Sequence, residues 1–124
     1  MDNKFDVVIV GTGAAGLYAA LNFPESVNIL LVSKRELQLS NSSLAQGGVA
    51  CVLDTVHDSY KLHITDTLIA GKYKNTLSAV EKLVTEGPSD VLKIKDLGVD
   101  FDLNEDGTMC KTLEAGHSRN RIVH

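Results

Sequence analysis

Two groups of residues in this chain have the type and spacing to do chemistry. The first is Gly11-Thr12-Gly13-Ala14-Ala15-Gly16, a G-x-G-x-x-G run. Gly11 permits a tight turn, Gly13 lets backbone approach a pyrophosphate, and Gly16 lets a helix pack closely on the preceding strand. The helix that such a turn opens offers free N–H groups and a positive dipole end to phosphates. A lone run of this kind is weak. Here it follows the β-branched run Val7–Val10 and leads into Leu17-Tyr-Ala-Ala-Leu21, the strand–turn–helix context that gives it meaning; the alternative is a glycine-rich turn with no ligand. The second group is Glu114 to His124, which holds an acid, two imidazoles and two guanidiniums. That density of titratable groups, His117 among them, suggests an anion-handling site. The alternative is a polar loop, braced by ion pairs, that leads into a helix.

The elements that must position these groups follow from patterning. Val7–Val10 is an unbroken apolar run suited to a strand covered on both faces of a parallel sheet. Pro24-Glu-Ser closes the first helix and Val27–Val32 reads as a second buried strand. The right-handed crossover makes the two strands parallel neighbours. An acidic residue ends the second strand of an ordinary NAD site, where it accepts from the ribose hydroxyls. Ser33-Lys34 stands there instead, and a lysine meets a phosphate or ring nitrogen; Glu36 lies further out along the loop. The stretch Asn41-Ser42-Ser43-Leu44-Ala45-Gln46-Gly47-Gly48 is too polar for a core. It reads equally as a hydrogen-bonding wrap for a polar planar ligand, with Gly47-Gly48 admitting close backbone, or as a surface loop.

Downstream, Asp58 to Ala70 is expected as a helix capped by Asp58 and ended by Gly71, with His63 and Asp66 as a surface pair. A second helix is expected over Thr76–Glu86 with Asn75 as cap. A third begins at Pro88, which suits a first turn, and ends with Gly98 at C′. Asn104-Glu-Asp-Gly107 reads as a turn, making Phe101–Leu113 a hairpin.

Size and composition narrow the function classes. A chain of 124 residues allows one domain, and 44% hydrophobic with 23% charged residues is ordinary for a soluble globular protein. A net charge of −4, with no basic run longer than Lys34-Arg35, gives no nucleic-acid footprint. No apolar stretch is long enough to span a bilayer, and the N-terminus lacks a signal-peptide pattern. Cys51 and Cys110 make no metal-ligand spacing and are read as free thiols in a reducing cytoplasm, a single disulfide being the alternative. The abrupt finish at Ile122-Val-His124 reads as a chain cut within a domain, which leaves apolar strand edge exposed and favours self-association.

Taken together, these residues resemble the N-terminal part of the L-aspartate oxidase family, which groups with the flavoprotein subunits of succinate dehydrogenase and fumarate reductase. The resemblance runs from Phe5 to His124. It rests on Gly11–Leu17, Ser33-Lys34, Ser43-Leu-Ala-Gln-Gly-Gly-Val-Ala50, Asp66–Gly71, Gly98–Asp102 and Glu114-Ala-Gly-His-Ser118. The Ala-Gln-Gly-Gly stretch together with the Gly-His-Ser loop is far more specific than the glycine run. The resemblance implies an α/β fold: a Rossmann-like FAD-binding β-α-β unit with parallel strands, then helices and a short β-hairpin. Residues 1–124 would then be the N-terminal part of an FAD-binding domain, incomplete, with capping and C-terminal helical domains outside it.

The same resemblance implies site roles. FAD is expected with its pyrophosphate at Thr12 to Ala15, Lys34 near the adenosine ribose, and Asn41 to Gly48 around the flavin. Dehydrogenase and fumarate reductase subunits commonly carry a flavin-linked histidine at the position of Asn41, so noncovalent FAD is expected here. Glu114 would attract the ammonium of an amino-dicarboxylate, which succinate lacks. Ala115 departs from the glycine more usual in the family and restricts the loop's path. The implied reaction is hydride transfer from the Cα of L-aspartate to the flavin, giving iminoaspartate at the start of NAD biosynthesis. Oxygen or fumarate would be the acceptor, and quinolinate synthase a candidate partner. The substrate-binding arginine is expected beyond His124, so the chain alone is expected to be inert. A soluble fumarate reductase or succinate-oxidising flavoprotein, and a non-catalytic nucleotide-binding module, are the competing readings.

Overall fold

The computed structural model describes residues 4–36 and 39–124, which fall into two compact units divided between Gln46 and Gly47.

The first unit contains β1 (Val7–Val10), α1 (Ala14–Leu21), β2 (Ile29–Val32) and the single-turn α2 (Asn41–Leu44). The strands pair in parallel, with Val7 opposite Ile29 and Val10 opposite Val32. Gly11 extends the ladder by donating its N–H to the Val32 carbonyl at 2.8 Å, then turns at φ +112, a value that favours glycine. A Cβ on Gly16 would strike the Gly11 carbonyl oxygen and approach the Ile9 side chain, so the glycine is what lets α1 lie on the strand end. The expected β-α-β unit is therefore present. Its strands are not covered on both faces, however: Val8 is 57% and Val10 83% exposed. β2 is also shorter than its apolar run, since Val27 closes a turn onto the Pro24 carbonyl before pairing begins.

The second unit contains β3 (Val49–Ala50), α3 (Tyr60–Ala70), α4 (Leu77–Asp96) and β4 (Ile122–Val123). β3 and β4 are antiparallel, Val49 opposite Val123 and Ala50 opposite Ile122. Thr112 bridges to Ile122 on the other side of β4. Glycine is required at Gly48, where a Cβ would run into the Ile122 side chain and the Val123 carbonyl. Cys51, Val91, Met109 and Val123 form the core, with Leu53 and Phe101 packed against it. Both cysteines are free, as expected, and burial pushes the Cys51 thiol up to about 11.

Four helix expectations are corrected. Ser59, not Asp58, caps α3, accepting from the Leu62 amide at 3.2 Å; the Asp58 carboxylate is engaged elsewhere. Gly71 does close the helix. The two helices expected over residues 76–97 are one, α4, with Thr76 rather than Asn75 at its N-cap and Pro88 in its interior. Pro88 cannot donate to the Val84 carbonyl, yet Val80, Val84, Pro88 and Val91 form one buried stripe that favours continuity. Gly87 has no Cβ to clash with the proline ring, which removes the usual obstacle at the preceding residue. Gly98 sits just past the C-cap at φ +99, as expected. The expected hairpin forms with a short ladder: Gly107 donates to Asn104 O at 2.9 Å, and Leu103 bridges Met109. The final segment does not lead into a helix but enters β4. Among the described residues no helix is long and apolar enough to cross a membrane.

Candidate functional site

The first unit carries a cleft of about 460 Å³ lined by Gly11, Thr12, Ser33, Lys34, Arg35, Glu36, Leu39, Ser40 and Asn41. It lies where β1 and β2 end and α1 begins, the crevice where open α/β sheets bind ligands. Thr12 is 6% exposed, and its hydroxyl donates to Ser33 Oγ at 2.9 Å, tying the glycine turn to the end of β2. Ser33 Oγ in turn donates to the Arg35 carbonyl at 2.5 Å, which curls the loop so that Lys34 and Arg35 line the cleft. On the α2 side, Ser40 caps the helix by accepting from the Ser43 amide at 3.1 Å. The Ala14 amide at the start of α1 donates to Ser42 Oγ at 3.0 Å. A Cβ on Gly13 would sit 3.0 Å from that same oxygen. Gly13 therefore makes room for an oxygen beside the helix N-terminus, the geometry a phosphate oxygen requires. Ser42 Oγ fills the place a phosphate oxygen would take at the start of α1, and with Lys34 and Arg35 lining the same cleft the residues present fit a nucleotide.

The second unit carries a charged cluster around Arg121, which is completely buried. Its Nε and Nη2 donate to the two oxygens of Asp58 at 2.8 and 2.7 Å, a bidentate fork. Nη1 donates to Asp66 Oδ2 at 2.5 Å and faces His117 Nδ1 at 3.1 Å. Asp66 Oδ2 also accepts from the amide and hydroxyl of Ser118, at 2.9 and 2.8 Å. Burial opposes ionisation of Asp58, but the Arg121 bonds and the Ser59 amide outweigh it and hold the carboxyl below its ordinary value. For Asp66, the Ser118 and Arg121 bonds outweigh burial in the same way. His63 is buried with its ring edge-on to His117, centroids 5.5 Å apart, and burial together with the Arg121 charge pushes its pKa down.

Beside this cluster, Glu114 Oε1 accepts from the Thr112 hydroxyl at 2.7 Å and lies 2.7 Å from His124 Nε2. The Thr112 bond, then the His124 ring, hold its carboxyl below the ordinary glutamate value. The result is an exposed, anionic carboxylate on a loop that turns at Gly116, φ +80, with the His117 amide donating to the Glu114 carbonyl at 3.1 Å. Such a group can attract an ammonium.

The expected residues are thus distributed as follows. Gly11, Thr12, Ser33, Lys34 and Asn41 line one cleft, with Gly13, Ala14 and Ser42 at the adjoining helix start; Gly16 is used in packing α1. Ala15, Ser43, Leu44, Ala45 and Gln46 are exposed along the first unit. Gly47 opens the second unit and Gly48 serves the approach of β3 to β4. Glu114 and His117 stand on one turn. The expectation of two guanidiniums for anion handling is corrected: Arg121 is spent internally on two carboxylates, and Arg119 remains on the surface. The surface pair expected of His63 and Asp66 is corrected too, since His63 is buried and the Asp66 carboxylate is turned to Arg121 and Ser118. Asp58 and Arg121 were missed as partners. The available signal was an arginine abutting the apolar Ile122-Val123, which must find buried acids.

A family model described as FAD binding domain matches residues 6–124. An L-aspartate oxidase of Clostridium perfringens is 46% identical over 124 residues, 100% of this chain and 28% of the relative. Among solved structures, Mycobacterium smegmatis Sdh1 in complex with UQ1 superimposes with a TM-score of 0.89 at 31% identity, covering 97% of this chain and 20% of that one. A mutant of the E. coli quinol fumarate reductase FrdA gives a TM-score of 0.89 at 29% identity, covering 96% and 21%. The chain therefore spans between a fifth and somewhat over a quarter of these three proteins. A match over nearly every residue, on a chain whose glycine turn, helix start and polar cleft are built for a nucleotide, leads to one conclusion: the chain belongs to the FAD-binding-domain family, and FAD is its cofactor.

Proposed function

We propose that this chain is the N-terminal part of the FAD-binding domain of a cytoplasmic L-aspartate oxidase, which converts L-aspartate to iminoaspartate with oxygen or fumarate as acceptor. The single observation that carries the substrate assignment is Glu114, an exposed carboxylate kept anionic by Thr112 and His124 on the turn that also bears His117. The ammonium of aspartate gains from a nearby carboxylate, and succinate has no group to meet it. Thr12 to Ala15 would hold the pyrophosphate, Ser33 and Lys34 the adenosine ribose side, and Asn41 to Gly48 the flavin side. Asn41 offers no ring nitrogen for a covalent link, so FAD is held noncovalently. Bound FAD supplies the hydride acceptor; the chain's own groups orient the substrate and balance its charges. Quinolinate synthase is the candidate partner that would receive the product.

Anaerobic bleaching of the flavin band in the full-length protein, with L-aspartate and succinate in separate cuvettes, tests the assignment. Bleaching by aspartate alone is expected. The fumarate reductase and succinate-oxidising reading has its support in the fold shared with those flavoproteins, and bleaching by succinate alone would establish it. Asn41 and Glu114 both weigh against that reading.

A further inference from the structure

The Glu114–Ser118 turn is held from below by a residue with no place in the cofactor cleft. Asp66, on α3, puts a single oxygen, Oδ2, within hydrogen-bond distance of three donors: Ser118 N at 2.9 Å, Ser118 Oγ at 2.8 Å and Arg121 Nη1 at 2.5 Å. The Asp58 fork holds Nε and Nη2 of this wholly buried side chain, and Asp66 holds the remaining nitrogen, Nη1. Nη1 carries two hydrogens in the guanidinium plane. With one directed at Asp66, the other faces His117 Nδ1 at 3.1 Å. A guanidinium only donates, so Nδ1 must carry the lone pair and the ring proton must sit on Nε2. The edge-on His63 ring, 5.5 Å away, packs beside the imidazole.

We infer that Asp66 is a positioning residue: it fixes the Glu114–Ser118 turn through Ser118 and, through Arg121, sets His117 as an Nε2–H donor. An Nε2–H donor is suited to a carboxylate oxygen of a dicarboxylate, while Glu114 on the same turn meets an ammonium. This consequence rests on the aspartate oxidase reading; the geometry that fixes the tautomer does not.

The test uses full-length, FAD-loaded protein labelled with nitrogen-15 at histidine. The His117 ring signals, identified by their loss in His117→Asn, should report the Nε2–H tautomer in the native protein. In Asp66→Asn they should move toward a mixture of tautomers. Turnover of aspartate should then fall on the order of ten- to hundredfold with the flavin band retained and KM changed less, because a charge-assisted contact has been lost behind the site. In Ser118→Ala the Asp66–Arg121 contact survives, so the tautomer should persist, while loss of the hydroxyl bond that braces the turn on Asp66 should quicken exchange of the residue-118 amide about tenfold. An Nδ1–H signal in the native protein overturns the inference, as does a folded Asp66→Asn with an unchanged tautomer. If Asp66→Asn does not fold, unchanged Ser118 amide exchange and turnover in Ser118→Ala overturn it. Failure of aspartate to bleach the native flavin would remove the oxidase reading and leave the tautomer result to stand alone.

Discussion

At the scale of residues, two acids of one unit behave differently because their surroundings differ. Glu114 is exposed, so its charge is available to a ligand. Replacing it with glutamine keeps the shape and the Thr112 contact but removes the charge. Glu114→Gln should lower kcat/KM for aspartate on the order of ten- to hundredfold and narrow the preference over succinate, read in parallel flavin-bleaching assays. Since its carboxyl lies below the ordinary value of about 4.3, selectivity should hold throughout the neutral range and fade only as acid protonates the group. Asp58, by contrast, is 6% exposed and faces a fully buried guanidinium. Arg121→Met would leave Asp58 and Asp66 without their cation and should destabilise the fold by about 3–5 kcal/mol in urea titrations. The pH dependence follows from the same bonds. Folded-state values depressed below the aspartate norm of about 3.9 mean that this stability is fully present above that norm. It is lost as pH falls through the depressed values. In Arg121→Met the acid-side decline should disappear, because protonating unpaired buried acids relieves the fold.

At the scale of elements, local chemistry and the parallel β1–β2 pairing that the crossover rule dictates were legible in the sequence, and the pairings within the second unit that no local signal marks were not. β1, the glycine turn and α1 were foreseeable because a β-branched run, a glycine at a left-handed φ and a helix-contact glycine each act on their immediate neighbours. Gly71 and Gly98 marked helix ends for the same reason. β4 was invisible: a two-residue strand has no periodicity and exists through pairing with β3 and Thr112. Asp58 was misread because a capping aspartate and an ion-paired one look alike in sequence, with Ser59 adjacent to take the cap. The polar cleft beside the glycine turn was legible down to Ser33 and Lys34, which line it. The Arg121 hub was not, since it reaches Asp66 and Asp58 across 55 and 63 residues. Pro88 in α4 gives an element-scale prediction. An interior proline costs about 3 kcal/mol, while Pro88→Ala gives up roughly two buried methylenes at about 0.8 kcal/mol each. It also gives up about 0.4–1 kcal/mol of unfolded-state restriction. The alanine variant should therefore be more stable by somewhat under about 1 kcal/mol, seen as a raised urea midpoint with unchanged slope.

At the scale of the whole molecule, the separation between holding a cofactor and turning over a substrate decides what this chain can do by itself. The first unit supplies hydroxyls, amides and cations for a dinucleotide, and the second supplies a carboxylate and an imidazole on one turn. The proposed oxidation of aspartate needs more than these: its two carboxylates would have to be gripped and a proton taken from its ammonium side, and effective molarity is lost when the reacting atoms are not held together. Arg121, the one fully buried arginine among the described residues, is already committed to Asp58 and Asp66 and cannot grip a carboxylate. The 124-residue chain should accordingly give no aspartate-dependent peroxide above a heat-killed control, even with FAD supplied in excess. The apolar side chains of Val8, Val10, Leu17 and Leu21, each at least 40% exposed, should also make it self-associate, read as concentration-dependent sedimentation. Turnover by a sedimenting monomer would mean that this chain suffices for the chemistry, and the grip on the substrate's carboxylates would have to be found among its own residues.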